Sequence, residues 1–152
     1  MAETLGMLCD KLTIVKLKQY HTADNDRLDS LGKQSEQLQA EIDEYLQNAV
    51  QGNIPLERMT FDSNKVFKAE GNVVVDVVGN FGEVMYQLAD VNCRLWHEQE
   101  KVYEFETVPV EEKDKVVKKL ALLNLERNKC IDRINHLFSD MILKNKVTSS
   151  LK

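Results

Sequence analysis

The stretch VEEKDKVVKKLALLNLERNKCIDRINHLFSDMILKNK, residues 110–146, decides the fold. Along it Val117, Leu120, Asn124, Arg127, Ile131, Ile134, Phe138 and Met141 follow at steps of three and four residues. Val116, Leu123, Cys130 and Leu137 widen the same stripe. Residues three and four apart share one face of a helix, so the pattern predicts a long amphipathic helix from Val110 to Lys146. Pro109 stands near its first position, where a missing N–H costs nothing, and Glu111 and Glu112 suit the positive end of the helix.

Working backward, Val74, Val78, Phe81, Met85, Leu88, Asn92, Leu95, Gln99 and Val102 keep the same step. They predict a helix from Asn72, or as early as Asp62, to Phe105. The run Val73–Val78 has strand propensity, but the continuous seam favours helix. Leu28, Leu31, Ser35, Leu38, Ile42, Tyr45 and Ala49 give a helix over Asn25–Gln51, ended by Gly52 and Pro55. Leu5, Leu8, Leu12 and Val15 give a first helix over Ala2–His21. The polar turn Thr22–Asp26 separates these two and supplies capping residues. Sustained seams joined by short turns predict an all-α, antiparallel four-helix bundle, one domain over residues 1–147 with a disordered tail over 148–152.

The chain has 152 residues, 20 basic and 25 acidic, for a net charge of −5. That balance argues against coating a nucleic acid polymer, whose binding draws on Lys and Arg facing phosphates. Apolar runs are broken by charge well short of the roughly 18 residues a membrane span needs. No basic and apolar leader opens the chain, so a cytoplasmic protein is expected. Cys9, Cys93 and Cys130 are far apart and form no CxxC pair, which predicts reduced, mostly buried thiols and no zinc ribbon.

On the first helix a second stripe, Met7, Asp10, Ile14, Leu17 and His21, lies away from Leu8 and Leu12. A helix apolar on two sides is deeply buried or sits at a subunit contact, and a homo-oligomer is expected. The seams also carry polar groups. Asn124 and Arg127 interrupt the last helix, with Asn128 flanking them, and Asn92 and Gln99 interrupt the third. Equal rises of about 1.5 Å per residue on either side of a turn near residue 107 place Asn92 level with residue 121. Asp10 falls at a similar height in an up-down-up-down bundle. Asp10, Asn92, Asn124 and Arg127 are therefore expected to form a buried polar layer. In one reading Asp10 pairs with Arg127 and the layer fixes register. In the other it lines a pocket where the planar fork of Arg127 meets an anion.

Each histidine follows a basic residue by three positions: Lys18/His21, Arg94/His97 and Arg133/His136. Helical carboxylate metal sites need Glu at that position, so no metal site is expected. Lys18-Gln19-Tyr20-His21 and Arg94-Leu95-Trp96-His97 share a basic, any, aromatic, His pattern, which suggests a rim where Tyr20 and Trp96 stack and Lys18 and Arg94 meet an anion. GxSxG, Walker A and GxGxxG motifs are missing. Glu41-Ile42-Asp43-Glu44 hints at a helical nucleotide pyrophosphohydrolase, but no ExxD follows on a seam.

Three segments together carry a resemblance: Asp10-Lys11-Leu12-Thr13-Ile14-Val15, Asn92-Cys93-Arg94-Leu95-Trp96-His97 and Leu123-Asn124-Leu125-Glu126-Arg127-Asn128. They resemble the D-[KR]-L-[ST]-I-V, N-x-x-x-W-H and L-N-x-x-R-N motifs of an uncharacterised family of small all-helical bacterial and phage proteins. The resemblance covers helices one, three and four but not residues 51–71. It implies an all-helical fold and lends no activity. The chain is also similar, in size and class only, to phage counter-defence oligomers that sequester nucleotide signals.

The leading expectation is a non-enzymatic protein that captures a small anionic, nucleotide-like or sugar-phosphate molecule without a cofactor. Its expected site comprises Asp10, Lys18, His21, Asn92, Arg94, Trp96, His97, Asn124, Arg127 and Asn128. The alternatives are an enzyme on a sugar or nucleotide with His21 or His97 as general base and Asp10 as orienter, and a structural oligomer or interaction module.

Overall fold

A computed structural model describes residues 3–61 and 75–150, the last two by their backbone. Within them lie four α-helices and no strand: α1 (Leu5–His21), α2 (Asn25–Val50), α3 (Phe81–Tyr103) and α4 (Val110–Ser150). Short 3-10 turns occupy Leu56–Arg58 and Phe105–Thr107. None of the described helices is long and apolar enough to cross a membrane. The chain divides into two compact units, Met1–Asp62 with Ile131–Lys152, and Ser63–Cys130. The continuous helix α4 thus gives its first part to the second unit and its last part to the first.

The first unit is built on the α1/α2 hairpin. Thr4 caps α1, its hydroxyl accepting from the Met7 amide, and Asp24 caps α2 by accepting from Asp26 and Arg27. A three-residue connection joins the two helices, which pack against each other. Leu5, Leu8, Val15, Leu31, Ala49, Met59, Ile134, Phe138 and Ile142 are the buried apolar side chains of this unit, together with Cys9 and Ile131. The first turn of α1 meets α4 without a side chain between them. A Cβ built on Gly6 would stand 2.4 Å from the Ile131 carbonyl and 2.9 Å from Asn135 Oδ1. The Gly6 amide, which has no partner inside its own helix, instead donates to Asn135 Oδ1 at 2.7 Å, fully buried.

In the second unit α3 and the first part of α4 form an antiparallel hairpin, because Arg94 reaches Glu126 while Glu98 reaches Lys119. Val84, Leu88, Val91, Val116, Leu123 and Cys130 are its buried apolar side chains. Helix α3 starts later than the valine seam suggests. Val75–Val78 are not helical, Gly79 takes a φ of +114 that a helix cannot hold, and Asn80 opens the helix with Glu83 Oε1 accepting from its amide at 3.3 Å. The expected starts at Asp62 and Asn72 lie outside the described residues. At the other end α4 continues through Ser150, past the expected start of the tail at Thr148; Leu151 and Lys152 lie outside the described residues.

In the second unit Leu88 and Asn92 of the expected α3 seam are buried, but the buried rows depart from the expected seams elsewhere. Val117 is 56% exposed while Val116 is buried, and Gln99, expected inside, is exposed while Glu98 is buried. Val78, also placed on the seam, is exposed. The steps of three and four leave two adjacent rows available, and packing takes the one centred on 116, 123 and 130. Cys93 is exposed, against the expectation of mostly buried thiols, because it faces away from that row.

Gly6→Ala should lower stability by about 1–3 kcal/mol, since the methyl has to displace α4 backbone. Gly32→Ala, at a mid-helix position with open space around it, should raise stability by about 0.4–1 kcal/mol. Urea unfolding of both variants checks the pair, and a loss at both positions contradicts the contact.

Candidate functional site

Helical spacing puts Leu8, Lys11, Val15 and Lys18 on one face of α1. It puts Gln34, Gln37, Leu38, Glu41, Glu44, Tyr45 and Asn48 on one face of α2. Between these faces run two cavities of the first unit. The larger, about 570 Å³, is lined by Glu3, Leu8, Glu41, Glu44, Tyr45, Asn48, Ile54, Arg58 and Phe61. The smaller, about 380 Å³, is lined by Glu3, Lys11, Ile14, Val15, Lys18, Gln34, Gln37, Leu38 and Glu41. Both are open to solvent, and Glu3 and Glu41 belong to both.

The walls of the larger cavity are held from behind. Met59 is 1% exposed and pins the segment after Pro55, which brings Arg58 and Phe61 to the rim. The Tyr45 ring packs on Phe138, with centroids 6.3 Å apart. Burial pushes the Tyr45 phenol above its ordinary value of 10.0; the nearby Leu5 backbone pulls the other way but makes no hydrogen bond of ordinary geometry to it. Tyr45 therefore presents a neutral, fixed aromatic wall. Gln37 donates to Glu41 Oε1 at 2.7 Å, and Lys11 is paired with Glu3 at the junction of the cavities. Cys9 lies buried on α1, where desolvation and then the charge of Asp10 push its thiol up to about 11. It stays protonated near neutrality and is no nucleophile.

The second unit holds a different set of charges. Arg94 donates through both terminal nitrogens to Glu126, at 2.6 and 3.2 Å, and through Nε to Asp90 at 2.9 Å. The hydrogen bond with Glu126 raises the Arg94 pKa further, against the opposing effect of burial. Glu98 is buried and takes Lys119 at 2.7 Å and Lys101 at 3.0 Å on the same oxygen, while its other oxygen has no hydrogen-bond partner. Burial alone would raise the Glu98 pKa, but the two lysines outweigh it and the value falls below 4.5.

These contacts revise the expected site. Arg94 is committed to two carboxylates and is not an anion contact of a rim. Trp96 donates to Glu100 at 3.0 Å, and the same Glu100 lies 3.8 Å from His97 Nδ1, so an acid rather than a base accompanies this histidine. Asn124 turns its amide onto the Leu120 carbonyl of its own helix. Asn92 is buried, and Arg127 and Asn128 are half-buried on α4. The ion pairs place Asn92 level with Arg127 rather than with residue 121, because the 3-10 turn Phe105–Thr107 staggers the two helices. Asp10 is buried on α1 and His21 is exposed at the end of that helix. The eleven steps from one to the other along α1 amount to about 16 Å of rise, so Asp10 cannot orient His21 as a general base. Of the expected residues, Lys18 lines the smaller cavity and none lines the larger.

Sequence reading missed Glu41, Tyr45, Arg58 and Phe61 as cavity walls, and Glu98 and Glu126 as buried acids. The 34/37/41/44/48 row on α2 was a usable signal, being a polar stripe beside an apolar seam. Glu98 and Glu126 had none, since each reads as an ordinary helix-surface acid. Among the described residues no group of His, Cys, Asp and Glu is placed to hold a metal ion. Compared with protein-family models, curated proteins and solved structures, the chain matches none.

Because the folded Glu98 pKa is lowered, its stabilising contribution is complete above the ordinary carboxylate value and is lost as pH falls below 4.5 toward the folded value. Glu98→Gln should cost about 1–3 kcal/mol near pH 7 through the lost charge-assisted bonds. The gap from the unsubstituted chain should close as pH drops through that window. Urea unfolding at a series of pH values measures it, and a gap that stays constant to pH 3 contradicts the assignment.

Proposed function

We propose that this chain is a non-enzymatic binding protein that captures a small nucleotide-like or sugar-phosphate molecule on the α1/α2 face. The observation that carries the reading is the cavity of about 570 Å³, a volume in the range of small-molecule sites. Its aromatic walls, Tyr45 and Phe61, suit a planar ring, and Asn48, Arg58, Glu41 and Glu44 supply a few polar groups to orient it. Lys18, one of the residues first chosen, and Lys11 beside it supply the basic groups of the groove for an anionic ligand.

The proposal retains the antiparallel bundle, the cytoplasmic setting and the homo-oligomer. Support for self-association comes from Tyr103, Val110 and Val117, which are exposed at and beyond the α3/α4 turn. Light scattering after size-exclusion chromatography should give a multiple of the chain mass. The family resemblance is carried forward on the same terms, through its motif residues on α1, α3 and α4.

A thermal-shift screen with nucleosides, nucleotides and sugar phosphates tests the capture reading. A ligand at 100 times its Kd should stabilise the protein by about 2.7 kcal/mol and be recovered unchanged. Phe61→Ser, at a side chain 39% exposed, should abolish the shift while leaving the ligand-free melting temperature in place. A shift that survives Phe61→Ser places the ligand elsewhere, and a converted product points to an enzyme.

A further inference from the structure

The two cavities differ in chemistry along a single line. At one end stand the aromatic rings of Tyr45 and Phe61. In the middle stand Glu3 and Glu41, common to both cavities. At the other end Lys11 and Lys18 project from one face of α1, seven residues apart, which is about 10 Å of helix rise. We propose that the two cavities form one bipartite subsite for a nucleoside 5′-polyphosphate, with the ring at Tyr45 and Phe61 and the phosphates at Lys11 and Lys18. This inference rests on the capture reading above and adds to it the ligand class and the direction in which the ligand lies.

Each part of such a ligand meets a complementary group. A nucleobase stacks on aromatic faces whatever its sequence identity. Ribose hydroxyls donate to a carboxylate, as they do to the acidic residue of dinucleotide-binding folds. Glu41 is preset for that role, because Gln37 already donates to one of its oxygens at 2.7 Å and leaves the other available at the centre of the groove. The carboxylates also fix polarity. A phosphate chain laid toward Tyr45 would face Glu3, Glu41 and Glu44 against the single cation Arg58, whereas toward Lys18 it has Lys11 and Lys18 to balance Glu3 and Glu41, so repulsion is weaker in that direction.

Glu3 tunes the phosphate end. Its carboxylate is paired with Lys11, and its side chain is 25% exposed against 53% for Lys11. A phosphate reaching Lys11 has to compete with Glu3. Glu3 therefore weakens the binding of polyphosphates more than that of nucleosides, which makes it a specificity-determining residue. Lys18 is exposed, and no ion pair is assigned to it among the described salt bridges, so removing its charge is not expected to disturb the fold.

Calorimetric titration of the full chain with the nucleosides and the 5′-diphosphates of adenine, guanine, cytosine and uracil tests this. Lys18→Gln should weaken the binding diphosphate about tenfold, the loss of one charge-assisted contact, and leave its nucleoside within about twofold. Glu3→Gln should tighten the diphosphate several-fold more than the nucleoside. Circular dichroism of both variants checks that the helices persist. Equal effects on nucleoside and diphosphate overturn the assigned direction while capture stands. Binding of sugar phosphates alone, without any nucleoside or diphosphate, overturns the ligand class while capture stands. No binding anywhere in the thermal-shift panel removes both readings.

Discussion

The closest approach in the first unit depends on a side chain that is not there. Gly6 lets the opening turn of α1 lie against the α4 backbone at Ile131, and Asn135 then reaches the Gly6 amide at 2.7 Å. A helix start leaves its first amides without intrahelical partners, and burying one unpaired costs about 1–3 kcal/mol. Asn135 removes that cost from outside the helix, while Thr4 serves the Met7 amide from within the chain. The placement of α1 fixes the rest of the unit. Leu5 and Leu8 are set into the core, Tyr45 is packed against Phe138, and the outer face of α1 is left opposite the polar row of α2. The groove is the consequence of that packing.

The second unit is organised by charge rather than by close backbone contact. Arg94 with Glu126 and Glu98 with Lys119 tie α3 to the first part of α4 at two heights. The Arg94 pair is bidentate, which fixes orientation as well as distance. Glu98 is more exposed to risk, since one of its oxygens is buried without a hydrogen-bond partner. Such groups are weak evidence for stability, because desolvation offsets much of the attraction, yet breaking one side leaves an uncompensated buried charge. Their plain effect here is on register: they set which residues of α3 and α4 lie level. They also engage Arg94 with two carboxylates, Glu126 and Asp90.

Functional groups and binding walls therefore separate. The interhelical ion pairs of Arg94, Glu98, Lys119 and Glu126 belong to the second unit. The cavities belong to the first, lined mainly by α2 and the segment that follows it, with Glu3, Lys11 and Lys18 on the side of α1.

The helices themselves were legible in the sequence by itself. Their number and type, and the turns at residues 22–24 and 104–109, follow from three-four spacing and from Pro, Gly and capping residues, which act locally. The row chosen for burial was not legible, because α4 carries two adjacent apolar rows and only partners in space select between Val116 and Val117. The start of α3 was misread because a valine seam continues the pattern through Gly79, whose backbone conformation ends it. The site was less legible still. Spacing singles out Asn124 inside a seam and Arg94 in a basic, any, aromatic, His pattern, but whether a polar group faces a ligand, a neighbouring helix or its own backbone depends on distance across the fold. Local patterns are written along the chain. Which faces meet, and what space remains between them, is fixed only when side chains from distant positions compete for the same volume.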